Sequence, residues 1–558
     1  MDRISRAATL SDVVARLETD PSLAATRRRD LISAVRCISE ITGVDPRITP
    51  ACLRHMRPLI NAVRPARHDL SRKTWSNLCS NFRAALVRAL PRQPRQSDPR
   101  WEELRSALPT RRFRSGLSRL ISFCERETIP PTAVSDEVSA RFRAHLESDT
   151  RVPSPPDCHR RTCLLWNAAA DIVPDWPQSR LGLPDHRRPR RSLPLSSYPA
   201  SLQEELERCL APRGCGDRFA EFGPQKPLRP STVKKIRSEM ALALSAVVEA
   251  GRDPASITSL GCLFEPDAFE TALRRYLNQD EQQTPRPTAH NIASTLIGLA
   301  RRHLGSDASA LDHLAELERL RKCLGPPPKG LTKKNRNLLR ALDDPGLRAK
   351  LHFLPERLAN CAERMTPTRG AVVMEVAVAI AILQATPLRI ANLAGLRLDT
   401  HFLRPGGPRS LWHVDIPPHE VKNNQALVFE FPRRVTALVD RYIRHFRPSL
   451  AAPGNLCLFP VGSGPKAPHA LSQQIRKVVA DWVGIDMTPH QFRHFAGRIM
   501  QQHSPGAFTA IAQLLGHKDP RTAINYYTEL DTLSAGRQFD EFLENERRKT
   551  RLRDRSRL

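Results

Sequence analysis

The chain has 558 residues, 87 of them Lys or Arg against 58 Asp or Glu, for a net charge of +29 and an isoelectric point near 10.5. That length is more than one core supports and implies about three or four domains; 40% hydrophobic and 26% charged residues exclude a disordered or membrane-embedded chain. The most apolar run, Ala371–Ala385, is broken by Glu375 and too short to cross a bilayer, and MDRISRAATLSDVVARLETD at the start lacks the apolar centre of a signal peptide, so no membrane partner and a cytoplasmic, nucleoid-associated location are expected.

Taken in chain order, the first element is a helix at Thr26–Ile41, basic on one side and apolar on the other. It is followed by Gly43, the Asp45-Pro46 turn and Ile48-Thr49, then by a second helix at Ser71–Leu90 that begins on a hydroxyl residue. The same succession recurs at Thr232–Ala250, Gly251, Asp253-Pro254, Ile257-Thr258 and Thr288–Leu304. A weaker copy lies between them, at Phe113–Glu125, Val138–Leu146 and His159–Ile172. Proline-rich, basic seams at Pro91–Pro99, Pro184–Pro199 and Gly325–Gly330 read as linkers, because proline blocks helix continuation. The last third changes texture. Met374–Gln384 is an apolar helix, Leu411–Ile416 and Ala426–Phe431 alternate as strands around the turn Lys422-Asn423-Asn424-Gln425, and helices resume at Ser472–Val483. The domains expected are 1–95 and 100–180 (helical modules), 200–325 (a third), 331–545 (a mostly helical part with one small antiparallel sheet) and 546–558 (a basic tail).

The charge favours a polyanionic partner, since each phosphate neutralised releases condensed counterions, although a solvated basic surface yields the same total. The twelve cysteines include no CxxC pair, and Cys158 beside His159 lacks a second pair at zinc spacing, so free reduced thiols are expected.

Four patterns then occur in order. They are Thr386-Pro387-Leu388-Arg389-Ile390-Ala391-Asn392-Leu393; Lys422 in the hairpin turn; Thr488-Pro489-His490-Gln491-Phe492-Arg493-His494; and Leu514-Leu515-Gly516-His517, followed by Asn525-Tyr526-Tyr527. Alone, Lys422 is more often a solvated turn residue, Arg389 an ion-pair partner, and His490 or His517 a surface histidine. Together, over Leu331–Glu544, they resemble the tyrosine recombinase (phage integrase) family, whose catalytic set is Arg, Lys, His-x-x-Arg, His and Tyr in that order. The resemblance implies a mainly α chain, with SAM-like core-binding modules ahead of the catalytic domain and residues 200–325 as the DNA-gripping module. It implies Arg389, Lys422, His490, Arg493, His517 and Tyr527 (or Tyr526) as the catalytic residues. Two spacings after the Gly-His histidine are common in the family: nine residues gives Tyr526, while ten, with a hydroxyl residue next, gives Tyr527 and is favoured by Thr528. Asn392 departs from the family, many members of which have an acidic residue there.

The residue types suit the chemistry implied. A tyrosine hydroxyl attacks a phosphodiester and retains the 3′-phosphoryl group. Two guanidiniums clamp the extra negative charge without ever losing their own, so neither metal nor cofactor is required. Imidazoles move protons near neutral pH, and a lysine protonates the 5′-oxygen. The expected function is site-specific recombination or integration for a mobile element, on double-stranded DNA, by a dimer to tetramer of this chain or with sister recombinases. A type IB topoisomerase-like nicking-closing enzyme, an inactive DNA-binding regulator and a helical scaffold are the competing readings.

Overall fold

The structure, a computed structural model, describes residues 8–90, 98–148, 152, 154–184, 191–211, 228–278, 285–304, 307–327, 330–504, 506–516, 519–521, 524, 526, 536 and 539–548. The chain forms two compact units, one of residues 1–184 together with 330–558 and one of 185–329. Its class is mainly α with small antiparallel sheets.

In the first unit, helices α1 (Leu10–Glu18), α2 (Ala25–Thr42), α3 (Leu53–Ala62) and α4 (Arg72–Ala89) enclose a core of Leu10, Val13, Val35, Ile38, Phe82 and Leu86. Thr9 and Asp12 form a reciprocal capping box on α1, and Ser71 caps α4. Helix α2 stops at Gly43, whose φ of 69° is left-handed and open to glycine at little cost.

Helices α5 (Pro99–Ala107), α6 (Arg111–Arg126), α7 (Asp136–Ser148) and α8 (Pro155–Ile172) surround Trp101, Trp166 and Trp176, with ring centroids 6.3 and 5.0 Å apart along that series. A Cβ on Gly116 would overlap the end of the Leu165 side chain, so the leucine of α8 packs directly on the backbone of α6. Pro99, expected in a linker, instead opens α5, where its missing N–H costs nothing, while residues 91–97 lie outside the description. The Arg57 guanidinium of α3 donates to the carbonyls of Leu146 (3.0 Å) and Val152 (2.9 Å), joining the first helical group to the end of α7.

The second unit contains α9 (Ala200–Leu210), α10 (Pro230–Glu249), α11 (Pro266–Arg274), α12 (Pro287–His303) and α13 (Ala308–Cys323) around Met240, Leu244, Phe269, Ile292 and Leu296. Its first four helices repeat the short, long, short, long order of α1–α4 and α5–α8. The two Asp-Pro turns also match in detail: Asp45 accepts from the amide of Arg47 at 2.9 Å and Asp253 from that of Ala255 at 3.0 Å. Thr288 does not start α12 as expected; Pro287 does, after an Arg286 cap whose side chain bonds Asn278 at 3.0 Å and not the helix.

The carboxy-terminal part of the first unit runs α14 (Lys333–Ala341), α15 (Pro345–His352), α16 (Leu354–Ala362), α17 (Pro367–Ala385), α18 (Ile390–Ala394), β1 (Phe402–Leu403), β2 (His413–Ile416), β3 (Leu427–Glu430), α19 (Arg433–Arg441), β4 (Pro460–Val461), β5 (Gly464–Pro465), α20 (Pro468–Trp482), α21 (Pro489–His503) and α22 (Phe508–Leu514). The sequence implied one sheet; among the described residues there are two, β1-β2-β3 and the β4-β5 ribbon, both antiparallel. Helix α17 spans 19 residues, more than the 15-residue run suggested, and by length and composition alone could cross a bilayer. It is apolar on all sides because other elements surround it: Met374, Val378, Ile380 and Ile382 are fully buried in this core. Glu375, also fully buried, is paired with Lys466, which in turn donates to Gln474 at 3.1 Å.

The first helical group is tied to this part by named polar contacts. The Lys350 ammonium meets the Ala66 carbonyl at 2.8 Å and Asp69 at 2.6 Å, Arg67 donates to the Gly484 carbonyl at 3.0 Å, and Arg72 pairs with Asp481 at 3.1 Å. The cysteines described are all free thiols. Of the basic tail, residues 546–548 are helical, and 549–558 lie outside the description.

Candidate active site

Helix α17 ends because Pro387 follows it. The residue before a proline is pushed out of the helical region, and Thr386 takes φ −136°, ψ 99°. Leu388 then sinks into the core, so Arg389, the N-cap of α18, is carried on a rigid support. Its guanidinium is half enclosed, and burial pulls its pKa below the usual arginine value. Its Nη1 is buried with no hydrogen-bond partner. A buried cationic donor left unpaired is costly unless an anion meets it.

Arg493 lies in α21 and is only 5% exposed. Its Nη1 donates to the Pro387 carbonyl at 2.6 Å and its Nη2 to the Leu515 carbonyl. One side chain therefore fastens the segment before Arg389 to the segment before His517. His490 stands in the first turn of α21, which is held by a capping box in which Thr488 N donates to Gln491 Oε1 at 2.8 Å. His490 is exposed at the surface yet partly enclosed by its neighbours. That enclosure, then the charges of Arg493 and Arg389, lower its pKa. Both arginines thus act on one histidine, adding to the effect of its enclosure in favouring the neutral form.

Lys422 is exposed in the turn between β2 and β3. Its neighbour Asn423 donates to the Gly516 carbonyl at 2.5 Å, so the lysine turn and the Gly-His segment are fastened together. Gly516 has φ 56°, a left-handed backbone that favours glycine. Asn392 donates to the Glu420 carbonyl at 3.1 Å, holding the strand-to-turn segment just ahead of Lys422. A carboxylate could not donate there.

Arg389, His490 and Arg493 come together; Lys422 is linked to them through the contacts of Asn392 and Asn423. His517 and Tyr527 lie outside the described residues. Tyr526 is described, half-buried against the core, with its ring 5.6 Å from that of His494. His494 in turn meets His490 edge-on at 4.9 Å. Sequence reasoning left His494 and Asn423 without a role, although both stand inside the patterns that drew attention.

Residues 356–533 match the model of the phage integrase family. This segment is a phage integrase family domain. The integrase domain thus includes Arg389, Lys422, His490, Arg493 and the segment up to Tyr527. Among solved structures, similarity is found to XerH site-specific recombinase bound to difH substrate in a pre-cleavage complex, at 14% identity over 55% of this chain and 79% of that one, with a TM-score of 0.35. It is also found to XerH bound to palindromic difH in a post-cleavage complex (13%, 52% and 75%, TM-score 0.35) and to XerA recombinase (16%, 56% and 92%, TM-score 0.25). No curated protein matches the sequence.

Proposed function

We propose that this chain is a site-specific recombinase that cuts and rejoins double-stranded DNA through a 3′-phosphotyrosine intermediate, in the service of a mobile element. The carrying observation is the unpartnered, half-enclosed guanidinium of Arg389 beside Arg493 and His490, whose pKa is lowered. In the step proposed, the tyrosine oxygen attacks phosphorus and its proton passes to a neutral imidazole. The bond from phosphorus to the 5′-oxygen breaks, and Lys422 supplies the proton to that leaving group. Arg389 and Arg493 offset the charge on the non-bridging oxygens throughout. Attack by the 5′-hydroxyl of a second duplex on the phosphotyrosine restores a phosphodiester and frees the tyrosine. Such exchange requires several active sites on one DNA junction, so the working form is an oligomer of this chain or a mixture with sister recombinases, acting in the cytoplasm on the nucleoid.

A nicked suicide substrate tests the reading, because the covalent adduct accumulates on it. Tyr527→Phe removes one hydroxyl and should abolish the adduct, whereas Tyr526→Phe, altering a ring packed on His494, should leave it within a few-fold. The reverse result moves the nucleophile to Tyr526. Adduct from the double variant overturns the assignment of both. Binding without adduct in the wild type makes the chain a regulator, and relaxation of supercoils without strand exchange makes it a nicking-closing enzyme.

A further inference from the structure

Lys422 stands in an exposed turn, and the residue just ahead of that turn, Glu420, is gripped twice. Its carbonyl accepts from Asn392 of α18, and its carboxylate meets His401 Nε2 at 3.1 Å. His401 is buried and bonded at every polar atom. Its amide donates to the Arg397 carbonyl at 3.1 Å, and its carbonyl accepts from the Asp415 amide of β2 at 2.9 Å. Its Nδ1 accepts from the Arg397 amide at 2.9 Å. A backbone N–H can only donate, so Nδ1 carries no proton and the ring hydrogen stands on Nε2, directed at Glu420. Both grips start from the segment that carries Arg389: this arginine is the N-cap of α18, Asn392 lies within that helix, and Arg397 follows shortly after it.

We propose that Glu420 and His401 are positioning residues for strand cleavage, which together set the reach of Lys422 toward the 5′-oxygen. The proposal rests on the recombinase reading. A general acid must come within hydrogen-bond distance of the atom it protonates, and a lysine on a free turn would spread its ammonium over several such distances. Here the turn is pinned on both flanks, by Glu420 before the lysine and by Asn423, bonded to the Gly516 carbonyl, after it. Val421, fully buried, lies between the first anchor and the lysine. Its amide donates to the Pro418 carbonyl at 3.1 Å, and its carbonyl accepts from the Asn424 amide at 3.0 Å. Phosphate clamp and leaving-group acid thus share one frame, running from Arg389 through α18 and His401 to Glu420. In the step, the bond from the tyrosine oxygen to phosphorus forms and the bond to the 5′-oxygen breaks. Lys422 gives that oxygen its proton and is left as the neutral amine. His401 and Glu420 exchange no proton; they fix where Lys422 stands.

The test uses the full chain and two nicked suicide duplexes of one sequence, with oxygen or sulfur as the 5′-bridging atom of the scissile phosphate. Sulfur leaves as a thiolate, whose conjugate acid has a pKa of about 8.5 in cysteine, and so needs no proton donor. Glu420→Ala should slow single-turnover adduct formation by about 10–100-fold on the oxygen substrate, the scale of a misplacement of about 1 Å. On the sulfur substrate it should stay within a few-fold of wild type. Glu420→Gln, whose amide oxygen still accepts from His401, should stay near wild type on both. The Glu420 side chain is 42% exposed, so these variants spare the core, which His401→Ala would not. Equal slowing on both substrates would make Glu420 a merely structural residue and overturn the proposal. No slowing on the oxygen substrate would do so as well, and so would a Glu420→Gln variant as slow as Glu420→Ala. A wild type that forms no adduct on either substrate refutes the recombinase reading, and the positioning role with it; an active wild type with any of the other three results refutes the positioning role alone.

Discussion

Arg389 and Arg493 differ in how they are held, and their variants should differ accordingly. Arg493 spends its guanidinium on two backbone carbonyls, so it is part of the scaffold as well as of the proposed clamp. Arg389→Lys replaces a planar fork by a point charge and should lower the adduct-forming rate by about 10²–10³-fold with folding intact, as measured by single-turnover cleavage alongside a thermal melt. Arg493→Lys should lose both activity and stability, because the carbonyls of Pro387 and Leu515 lose their donors. His490 gives a pH test. Enclosure and two adjacent guanidiniums depress its pKa, so it stays neutral below the usual histidine midpoint of about 6.5. If its neutral form acts as base, the acid limb of the cleavage-rate profile should fall below that midpoint; a limb above pH 7 that His490→Gln removes would contradict the assignment. That Arg389, Arg493 and His490 lie near one another was legible in the order of the patterns that carry them. The carbonyl anchors of Arg493 were not, since any residue offers a backbone oxygen, and the contact of His494 with Tyr526 joins positions 32 apart through the fold alone.

At the scale of elements, legibility followed local signals. The helix expected at Ser71–Leu90 came out as Arg72–Ala89 because its hydroxyl cap is real. Strand β1 and the β4-β5 ribbon were missed because two-residue strands are too short for alternation to register. Helix α17 outran its apolar stretch because Pro367 and Thr366 start it in a polar segment. Its Glu375 broke the hydrophobic pattern and yet is fully buried, a choice that only Lys466, 91 residues on, explains. Removing either partner strands a charge in the core that positions Arg389. Lys466→Met should therefore cost about 3–5 kcal/mol in urea unfolding, and adding Glu375→Leu should recover most of the loss. A double variant no more stable than Lys466→Met would show that the pair is not coupled.

For the whole molecule, net charge sets the first expectation. With a formal charge of +29, DNA affinity should fall steeply with ionic strength, and binding that is flat between low and physiological salt would remove the electrostatic basis of the interaction. The repeated helical groups were visible through their Gly and Asp-Pro turns, since turn chemistry is written in residue type. That the first group docks on the integrase domain was invisible, because Lys350, Asp481 and Gly484 are single polar or small residues with no pattern around them. The docking also has a consequence for how the protein is made. Lys350 reaches back 284 residues to the Ala66 carbonyl, and the chain between them includes an entire separate unit. At a synthesis rate of about 5–20 residues per second, the first group waits on the order of tens of seconds on the ribosome before its docking surface exists. During that interval its face at Ala66–Asp69 is open, and any finished copy of the same protein carries the complementary surface. Translation on crowded polysomes is where this chain would exchange its first helical group between neighbours.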